Sequence, residues 1–180
     1  MTRAILTYSD YAALPDDGRR YELHDGELSV TPAPDIRHQR VKVNLFDVLH
    51  HHVRSRGLGE MFDAPTDCIL SDTTVVQPDI LFVAAEHTAR VSERAIEGSP
   101  TMAVEILSPS SGRIDRRIKF DLYARHDVAY YWIVDPVART IDAYVLSNGA
   151  YTLAARLSDG RPVALPPFDD LPLDPGSLWA

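Results

Sequence analysis

Two short apolar runs of this chain each carry one carboxylate where a buried strand normally carries none. Asp79 lies in the run over residues 75–83, and Glu105 lies in the run over residues 102–107. Both runs are rich in β-branched residues and therefore predict strands. Because an unpaired charge is too costly to leave in a protein core, these carboxylates require partners or a metal ion. A fold of this chain must supply them.

An amphipathic helix is predicted soon after the second run, over residues 113–125. Its spacing places Ile114, Ile118 and Leu122 on one face. The same helix carries Lys119, which is one of only two lysines among the 18 basic residues. Lysine is a compact point charge, whereas arginine is a broad fork that does not give up its proton. Three consecutive elements therefore deliver two acids and one amine.

The remaining elements follow from periodicity and turn signals. Asp25-Gly26 and Asn148-Gly149 are hairpin turns, and they predict an N-terminal hairpin over 20–30 and a C-terminal hairpin over 141–157. Asp35 caps a helix that runs to about Ser55. The other predicted elements are a short helix over 7–14, strands over 61–70 and 74–83, a strand over 102–107, a strand over 130–134 and a proline-rich tail from residue 161.

This order predicts an α/β fold in which helices flank a mixed central sheet. A chain of 180 residues, 45% hydrophobic and 24% charged, suffices for one buried core, so we expect a single domain over residues 1–180. The tail has spare apolar side chains, which predict a strap over the core or a subunit contact. These side chains are Leu165, Phe168, Leu171 and Trp179.

Charge and composition narrow the classes of function. A net charge of −8 argues against a protein that coats nucleic acid through bulk electrostatics, although it leaves a local basic site open. No apolar run reaches membrane-spanning length and the first residues lack a signal-peptide core, so we expect a cytoplasmic protein with no membrane partner. Cys68 is the only cysteine, which excludes an internal disulfide and a cysteine-based metal knuckle.

The chemistry of the two acids suggests a metal site. Carboxylates on neighbouring strands can point from one sheet face and hold Mg²⁺, which prefers oxygen ligands. A metal ion held there activates water and neutralises a phosphoryl oxygen during hydrolysis. Lys119 would orient that water or stabilise the developing charge.

Structural explanations compete with these roles. Asp79 follows Pro78, and a proline inside a strand marks an edge or a bulge, so Asp79 is also explained as a solvated edge residue. Lys119 stands four residues after Asp115, the spacing of an ordinary helix salt bridge. Glu105 has apolar neighbours on both sides, so a purely structural explanation suits it least.

Two further groups of residues have open interpretations. His38 shares a helix face with the apolar stripe and is either a hydrogen-bonded core histidine or a ligand. Tyr123 is expected to pack in the core. The basic residues of the helix predicted over 113–125 either contact phosphates as a local patch or form a solvated helix surface. These basic residues are Arg113, Arg116, Arg117 and Arg125.

The segments discussed above resemble the Uma-two family of restriction-endonuclease-like proteins, a branch of the PD-(D/E)XK nuclease superfamily. The likeness covers nearly the whole chain and depends on the joint order of several motifs. The motifs are Gly-Arg-Arg-Tyr-Glu-Leu-His-Asp-Gly-Glu-Leu (18–28), Arg-His-Gln-Arg-Val (37–41), Gln-Pro-Asp-Ile-Leu-Phe-Val (77–83), Val-Glu-Ile-Leu-Ser-Pro-Ser (104–110), and Lys119 with Tyr123 before Tyr-Tyr-Trp-Ile-Val-Asp-Pro (130–136).

The resemblance implies a restriction-endonuclease-like αβββαβ core and a metal-dependent endonuclease. Asp79 and Glu105 would bind magnesium, with manganese as an alternative, and Glu22 would add a third carboxylate. The superfamily's lysine two residues after the glutamate is absent, because Leu107 stands there. The resemblance implies that Lys119 replaces it. The resemblance also places His38 or Gln39 in the pocket.

Three functions remain open from the sequence. The preferred one is an endonuclease that cuts nucleic acid, DNA rather than RNA, with Asp79, Glu105, Lys119 and Glu22 in the catalytic site. The second is a nucleic-acid-binding or regulatory module without useful catalysis, and the third is a hydrolase of another phosphate compound. Because paired sites often cut a duplex and the tail has spare apolar residues, we expect a two-fold homodimer.

Overall fold

A six-stranded mixed sheet forms the centre of the protein, and a five-stranded sheet and the helices pack around it. The computed structural model describes residues 4–31, 33–108, 112 and 114–180. The helical elements are α1 (Tyr8–Ala12), α2 (Ile36–Arg56), a 3₁₀ helix (Ala85–Arg90), a π-helical segment (Ile114–Lys119), α3 (Phe120–Arg125) and α4 (Pro175–Leu178).

The strands are β1 (Arg20–His24), β2 (Glu27–Thr31), β3 (Gly59–Asp63), β4 (Cys68–Ser71), β5 (Thr74–Val76), β6 (Ile80–Ala84), β7 (Ile96–Glu97), β8 (Met102–Ile106), β9 (Tyr130–Asp135), β10 (Thr140–Ser147), β11 (Ala150–Leu157), β12 (Val163–Leu165) and β13 (Phe168–Leu173). The central sheet has the order β11-β10-β9-β8-β6-β3, with β8 and β9 parallel and the other neighbours antiparallel. The second sheet has the order β2-β1-β5-β4-β7.

This architecture confirms the predicted fold class. Helix α2, strands β3, β6 and β8, helix α3 and strand β9 give the αβββαβ order of the core, with one hairpin before it and another after it. Both hairpin turns form at the predicted dipeptides: Asp25, Gly26, Asn148 and Gly149 all have positive φ, as a tight two-residue turn requires.

The strands predicted over 61–70 and 74–83 are each divided in two, which corrects the prediction. The breaks fall at Pro65 and Pro78, because proline offers no N–H to a sheet ladder. Strands β3 and β6 pair in the central sheet, whereas β4 and β5 pair in the second sheet. Asp79 therefore lies where the chain passes from one sheet to the other.

Alternating side chains of the central sheet build two cores. On one face, Val41, Leu45, Leu49 and Val53 of α2 cover the sheet, and the C-terminal tail completes that core as the predicted strap. On the other face, side chains of the central sheet meet α3 and the second sheet. Glu105 lies two residues after Ala103 of this second face, so both side chains point to the same face, between the two sheets. None of the described helices is long and apolar enough to cross a bilayer.

Candidate active site

Strand pairing brings Asp79 and Glu105 together. Ile80 of β6 pairs with Val104 of the antiparallel strand β8. Asp79 precedes Ile80 and Glu105 follows Val104, so the two acids occupy the adjoining pair of positions. Both side chains are buried. Asp79 is only 4% exposed, and the strand that it precedes, β6, lies inside the central sheet. The explanation of Asp79 as a solvated edge residue is therefore wrong.

Lys119 lies between the carboxylates of two sheets. Its Nζ is 2.9 Å from Oε1 of Glu22 and 2.9 Å from Oε1 of Glu105. Oδ1 of Asp115 is farther away, at 3.9 Å. The residue is only 3% exposed. The helix salt bridge with Asp115 is thus present, but it is the longest of three contacts and does not explain why the lysine is buried.

The π-helical segment determines which side chains enter the site. An α-helical register predicts Ile118 on the buried face, yet Ile118 is 42% exposed, whereas Asp115 and Lys119 are buried. A π turn is wider than an α turn, and this shifts the inward-facing positions. The predicted apolar face of this helix is therefore wrong at Ile118, and the register that replaces it delivers the lysine.

Glu22 reaches the site from β1 of the second sheet. Its Oε1 accepts hydrogen bonds from the backbone N–H of Gln77 at 2.7 Å and from Lys119, and its Oε2 lies 3.3 Å from Nε2 of His24. Burial alone would raise the pKa of Glu22. The Lys119 ammonium, the His24 hydrogen bond and the Arg20 charge outweigh burial and hold that pKa well below its usual range. Glu22 is therefore a permanent anion that holds Lys119 in place.

Asp79 is surrounded by donors. Oδ1 lies 3.1 Å from Nη1 of Arg20, and Oδ2 lies 3.0 Å from Nε2 of His38 and accepts the backbone N–H of Ile106 at 2.8 Å. Burial opposes ionisation, but the His38 hydrogen bond, the Arg20 charge and the Ile106 N–H lower the pKa of Asp79 to about 2. Asp79 is ionised throughout the neutral range.

Glu105 behaves in the opposite way. Burial raises its pKa to about 8, the nearby carboxylates of Asp115, Asp79 and Glu22 add to the rise, and Lys119 only partly opposes it. Oε1 of Glu105 also accepts a hydrogen bond from the Tyr123 hydroxyl at 2.7 Å. Burial, more than the charge of its neighbours, therefore keeps Glu105 largely protonated near neutral pH.

These side chains line a cavity of about 70 Å³, which has room for a water molecule or a cation. The residues around the cavity are Arg20, Glu22, Val30, Thr31, Pro34, His38, Asp79, Glu105, Ile106, Ser108, Ile114, Asp115 and Lys119. Five of the residues that the sequence analysis singled out thus meet here: Glu22, His38, Asp79, Glu105 and Lys119.

Other predicted residues lie elsewhere. Gln39 is exposed and lines an adjoining groove rather than the cavity itself. Arg116 is exposed, and its Nη2 lies 3.1 Å from Oδ2 of Asp135. Arg117 is also exposed. Arg113 falls outside the described residues. The structure therefore does not bring Gln39, Arg116 or Arg117 into the carboxylate cavity.

Arg20, His24 and the polar role of Tyr123 were not predicted from the sequence. Arg20 and His24 flank Glu22 at a spacing of two, and alternate strand residues share a face, so strand periodicity could have indicated both. Tyr123 was expected only to pack, but its hydroxyl contacts Glu105. Its position one turn after Lys119 was the available signal.

We expect Tyr123→Phe to lower the free energy of unfolding at about pH 9, where Glu105 is ionised, by about 1.5–3 kcal/mol, the range for a hydrogen bond to a charged group. The reason is that the buried Glu105 carboxyl loses its hydroxyl donor. Tyr151→Phe is the matched control, because the Tyr151 hydroxyl donates to a neutral acceptor, the carbonyl oxygen of Val128. Urea unfolding of both variants measures the difference. Equal losses would show that the Glu105 contact has no special weight.

The donor chemistry of the cavity suits a hard divalent cation. Glu22, Asp79, Glu105 and Asp115 are oxygen donors around one small space, and these four carboxyl groups outnumber the cations Arg20 and Lys119 that line it. Within the part of the chain that the structure describes, no three His, Cys, Asp or Glu side chains are arranged to hold a metal ion. In this arrangement the chain's own cations and N–H groups bind the carboxylate oxygens instead.

Comparisons with known proteins place the chain in a family. A crystal structure of a putative nuclease belonging to DUF820 from Anabaena variabilis ATCC 29413 has 20% sequence identity to this chain and a TM-score of 0.79, with 97% of each chain covered. At that identity the likeness shows a shared fold. No curated protein sequence matches the chain. The Uma2 family, described as "Putative restriction endonuclease", matches residues 8–175. The chain therefore belongs to the Uma2 family.

Proposed function

We propose that this protein is a metal-dependent endonuclease that hydrolyses phosphodiester bonds of nucleic acid, DNA in preference to RNA. One observation carries the proposal: the Lys119 ammonium bridges the buried carboxylates of Glu22 and Glu105 beside Asp79, around a single cavity. The family description and the nuclease in the similar structure support the same class of activity.

Asp79 and Glu105 would hold the metal ion, magnesium or manganese, because both are buried oxygen donors at adjoining positions of paired strands. Such an ion, when bound, supplies an activated water and charge neutralisation at a phosphoryl oxygen. Glu105 must release its proton to act as a ligand, since a protonated carboxyl binds cations poorly. Its raised pKa therefore makes metal affinity increase with pH up to about 8.

Lys119 acts as a fixed cation in this proposal. Burial would lower its pKa, but Glu105, Glu22 and Asp115 raise it above its ordinary value. The amine therefore stays protonated and cannot serve as a general base. It donates hydrogen bonds, and a water molecule or a non-bridging phosphate oxygen in the cavity would be its acceptor. Glu22 sets the position of the ammonium.

A second candidate is a nucleic-acid-binding or regulatory module on the same fold. The arrangement of the carboxylates favours it, because Arg20, His38 and Lys119 already bind their oxygens and no metal-holding group of three is present among the described side chains. The two candidates differ in one measurable property, which is metal-dependent cleavage.

Calorimetric titration of Mg²⁺ and Mn²⁺ tests the proposal, with plasmid cleavage assayed on the same samples. We expect Asp79→Asn and Glu105→Gln to weaken metal binding by at least about tenfold and to abolish cleavage, because each removes a ligand charge. Asp142→Asn is the control, since Asp142 is a buried carboxylate that pairs with Arg156 away from the cavity. A wild-type protein that binds neither metal ion would refute the nuclease and leave the binding module.

Three further expectations extend the proposal. We propose that residues 1–180 act as one domain in the cytoplasm and that two copies pair as a two-fold homodimer, because a duplex has two strands to cut. Light scattering during size-exclusion chromatography measures the mass. A monomer at concentrations that support cleavage would contradict the dimer.

A further inference from the structure

Three arginines surround a pocket that is separate from the carboxylate cavity. Arg37 and Arg40 come from α2, and Arg139 comes from the connection between β9 and β10. The pocket has a volume of about 310 Å³, and all three arginines are exposed. Its other lining residues are Val41, Pro136, Val137 and Trp179.

These three guanidinium groups have no acidic partner among the described residues. The described arginines that do form ion pairs are Arg19, Arg20, Arg56, Arg116, Arg125 and Arg156. Other described arginines, such as Arg54 and Arg117, also form no ion pair, but Arg37, Arg40 and Arg139 differ from them in lining one pocket of a chain whose net charge is −8. An anion in this pocket would be attracted by all three charges.

The position of the arginines on α2 strengthens the case for an anion. Arg37 and Arg40 stand near the N-terminus of this helix, where the helix dipole is positive, and the first turn contains no acidic residue. The carboxylate of the N-cap residue Asp35 binds the helix itself, because its Oδ1 accepts the backbone N–H of His38. Residues three apart on a helix have Cβ atoms about 5–6 Å from each other, so both side chains can reach one anion.

The third arginine is held towards the same pocket by a fixed turn. Oδ1 of Asp135 accepts the backbone N–H groups of Val137 and Ala138, which fastens the connection between β9 and β10. Arg139 follows with a φ of 55°, a left-handed backbone conformation that residues other than glycine rarely adopt. The turn therefore projects an arginine from a defined backbone.

A continuous surface joins this pocket to the proposed active site. A groove of about 760 Å³ shares Arg37, Pro136 and Val137 with the arginine pocket. The same groove shares Pro34, His38 and Ser108 with the carboxylate cavity. A nucleic-acid strand with one phosphate at the carboxylate cavity could therefore extend along the groove to Arg37, Arg40 and Arg139.

We propose that Arg37, Arg40 and Arg139 form a subsite for a backbone phosphate of the DNA strand, separate from the phosphate that is cleaved. This inference rests on the proposed nuclease function for the identity of the ligand. A backbone phosphate fits the site because guanidinium groups bind phosphate oxygens through paired N–H donors. The subsite positions the strand and reads no base.

Binding of fluorescein-labelled DNA, measured by anisotropy in EDTA so that cleavage cannot occur, tests the subsite. We expect Arg37→Gln, Arg40→Gln and Arg139→Gln each to weaken binding several-fold for every sequence. Each should also reduce the salt slope of log K by about one, because one phosphate contact is lost. Arg54→Gln is the matched control, since Arg54 is exposed on the same helix and does not line the pocket.

The outcomes separate this inference from the proposed function. Arginine-dependent DNA binding without metal-dependent cleavage would retain the subsite and refute the nuclease. If the wild type cleaves DNA and all three variants bind DNA as the wild type does, the subsite alone is refuted. If the wild type binds no DNA in EDTA, the subsite is refuted whether or not the protein cleaves DNA. Inorganic phosphate is the competitor. If it displaces the labelled DNA at a phosphate concentration equal to or below that of the DNA, the pocket is a site for small anions and not for a phosphate of a DNA strand.

Discussion

Replacing Lys119 with methionine is expected to lower the free energy of unfolding by about 3–5 kcal/mol, the cost of breaking a buried ion pair on one side. The loss arises because Glu22 is ionised in the folded protein and would remain buried without its ammonium partner. Glu105 would lose the same partner at less cost, because with a pKa of about 8 it already holds a proton near neutral pH. Urea unfolding near neutral pH measures the effect.

The other lysine provides the matched control. Lys42 is also buried, but its Nζ contacts Asp63, which is 51% exposed, and the carbonyl oxygen of Ala64. We expect Lys42→Met to cost less, because water can solvate Asp63 once the ammonium is gone. Adding Glu22→Gln to Lys119→Met should recover part of the loss. Equal losses for the two lysines, or no recovery in the double variant, would contradict the assigned partnership of Lys119 with Glu22.

Local sequence signals were sufficient for much of the fold. The spacing of Val41, Leu45 and Leu49 predicted α2, and that helix covers one face of the central sheet. The Asp-Gly and Asn-Gly dipeptides predicted both hairpins, because a two-residue turn needs positive φ at both positions. Glu105 stood out because a carboxylate among apolar neighbours must have a partner. In each case the physical cause acts within a few residues.

Features that depend on exact register could not be predicted in this way. Two prolines divided apparently continuous strands, and the halves joined different sheets. The π turn moved Ile118 outward and Lys119 inward, which α-helical periodicity does not anticipate. Both features bear on the site, since one places Asp79 between the sheets and the other delivers the lysine.

The partners of the site residues were harder still to predict. Arg20 contacts Asp79 across 59 positions of sequence, and Lys119 contacts Glu22 across 97. No periodic pattern encodes such contacts, because they arise only when the second sheet closes over the first. Sequence reasoning could identify the carboxylate that needs a partner but not which of several arginines or tyrosines would provide one.

Glu105 should make the stability of the metal-free protein fall as pH rises. Its pKa is about 8 in the folded state and 4.5 ordinarily, so between these values the folded protein holds a proton that the unfolded chain has released. Stability from this proton is complete below about pH 4.5 and is lost as pH rises through 8. Glu22 and Asp79 have lowered pKa values and act only at more acidic pH.

Glu105→Gln removes this titration and should therefore flatten the pH dependence. From about pH 5 to pH 8, the free energy of unfolding of the wild type relative to the variant should fall by up to about 1.4 kcal/mol per pH unit. Urea unfolding in EDTA at several pH values measures this difference, and the other titrating groups largely cancel in it. Glu60→Gln, at an exposed strand position, should run parallel to the wild type. A parallel Glu105→Gln curve would mean that Glu105 is ionised in the folded protein, so that Lys119 neutralises it and metal binding would release no proton from it.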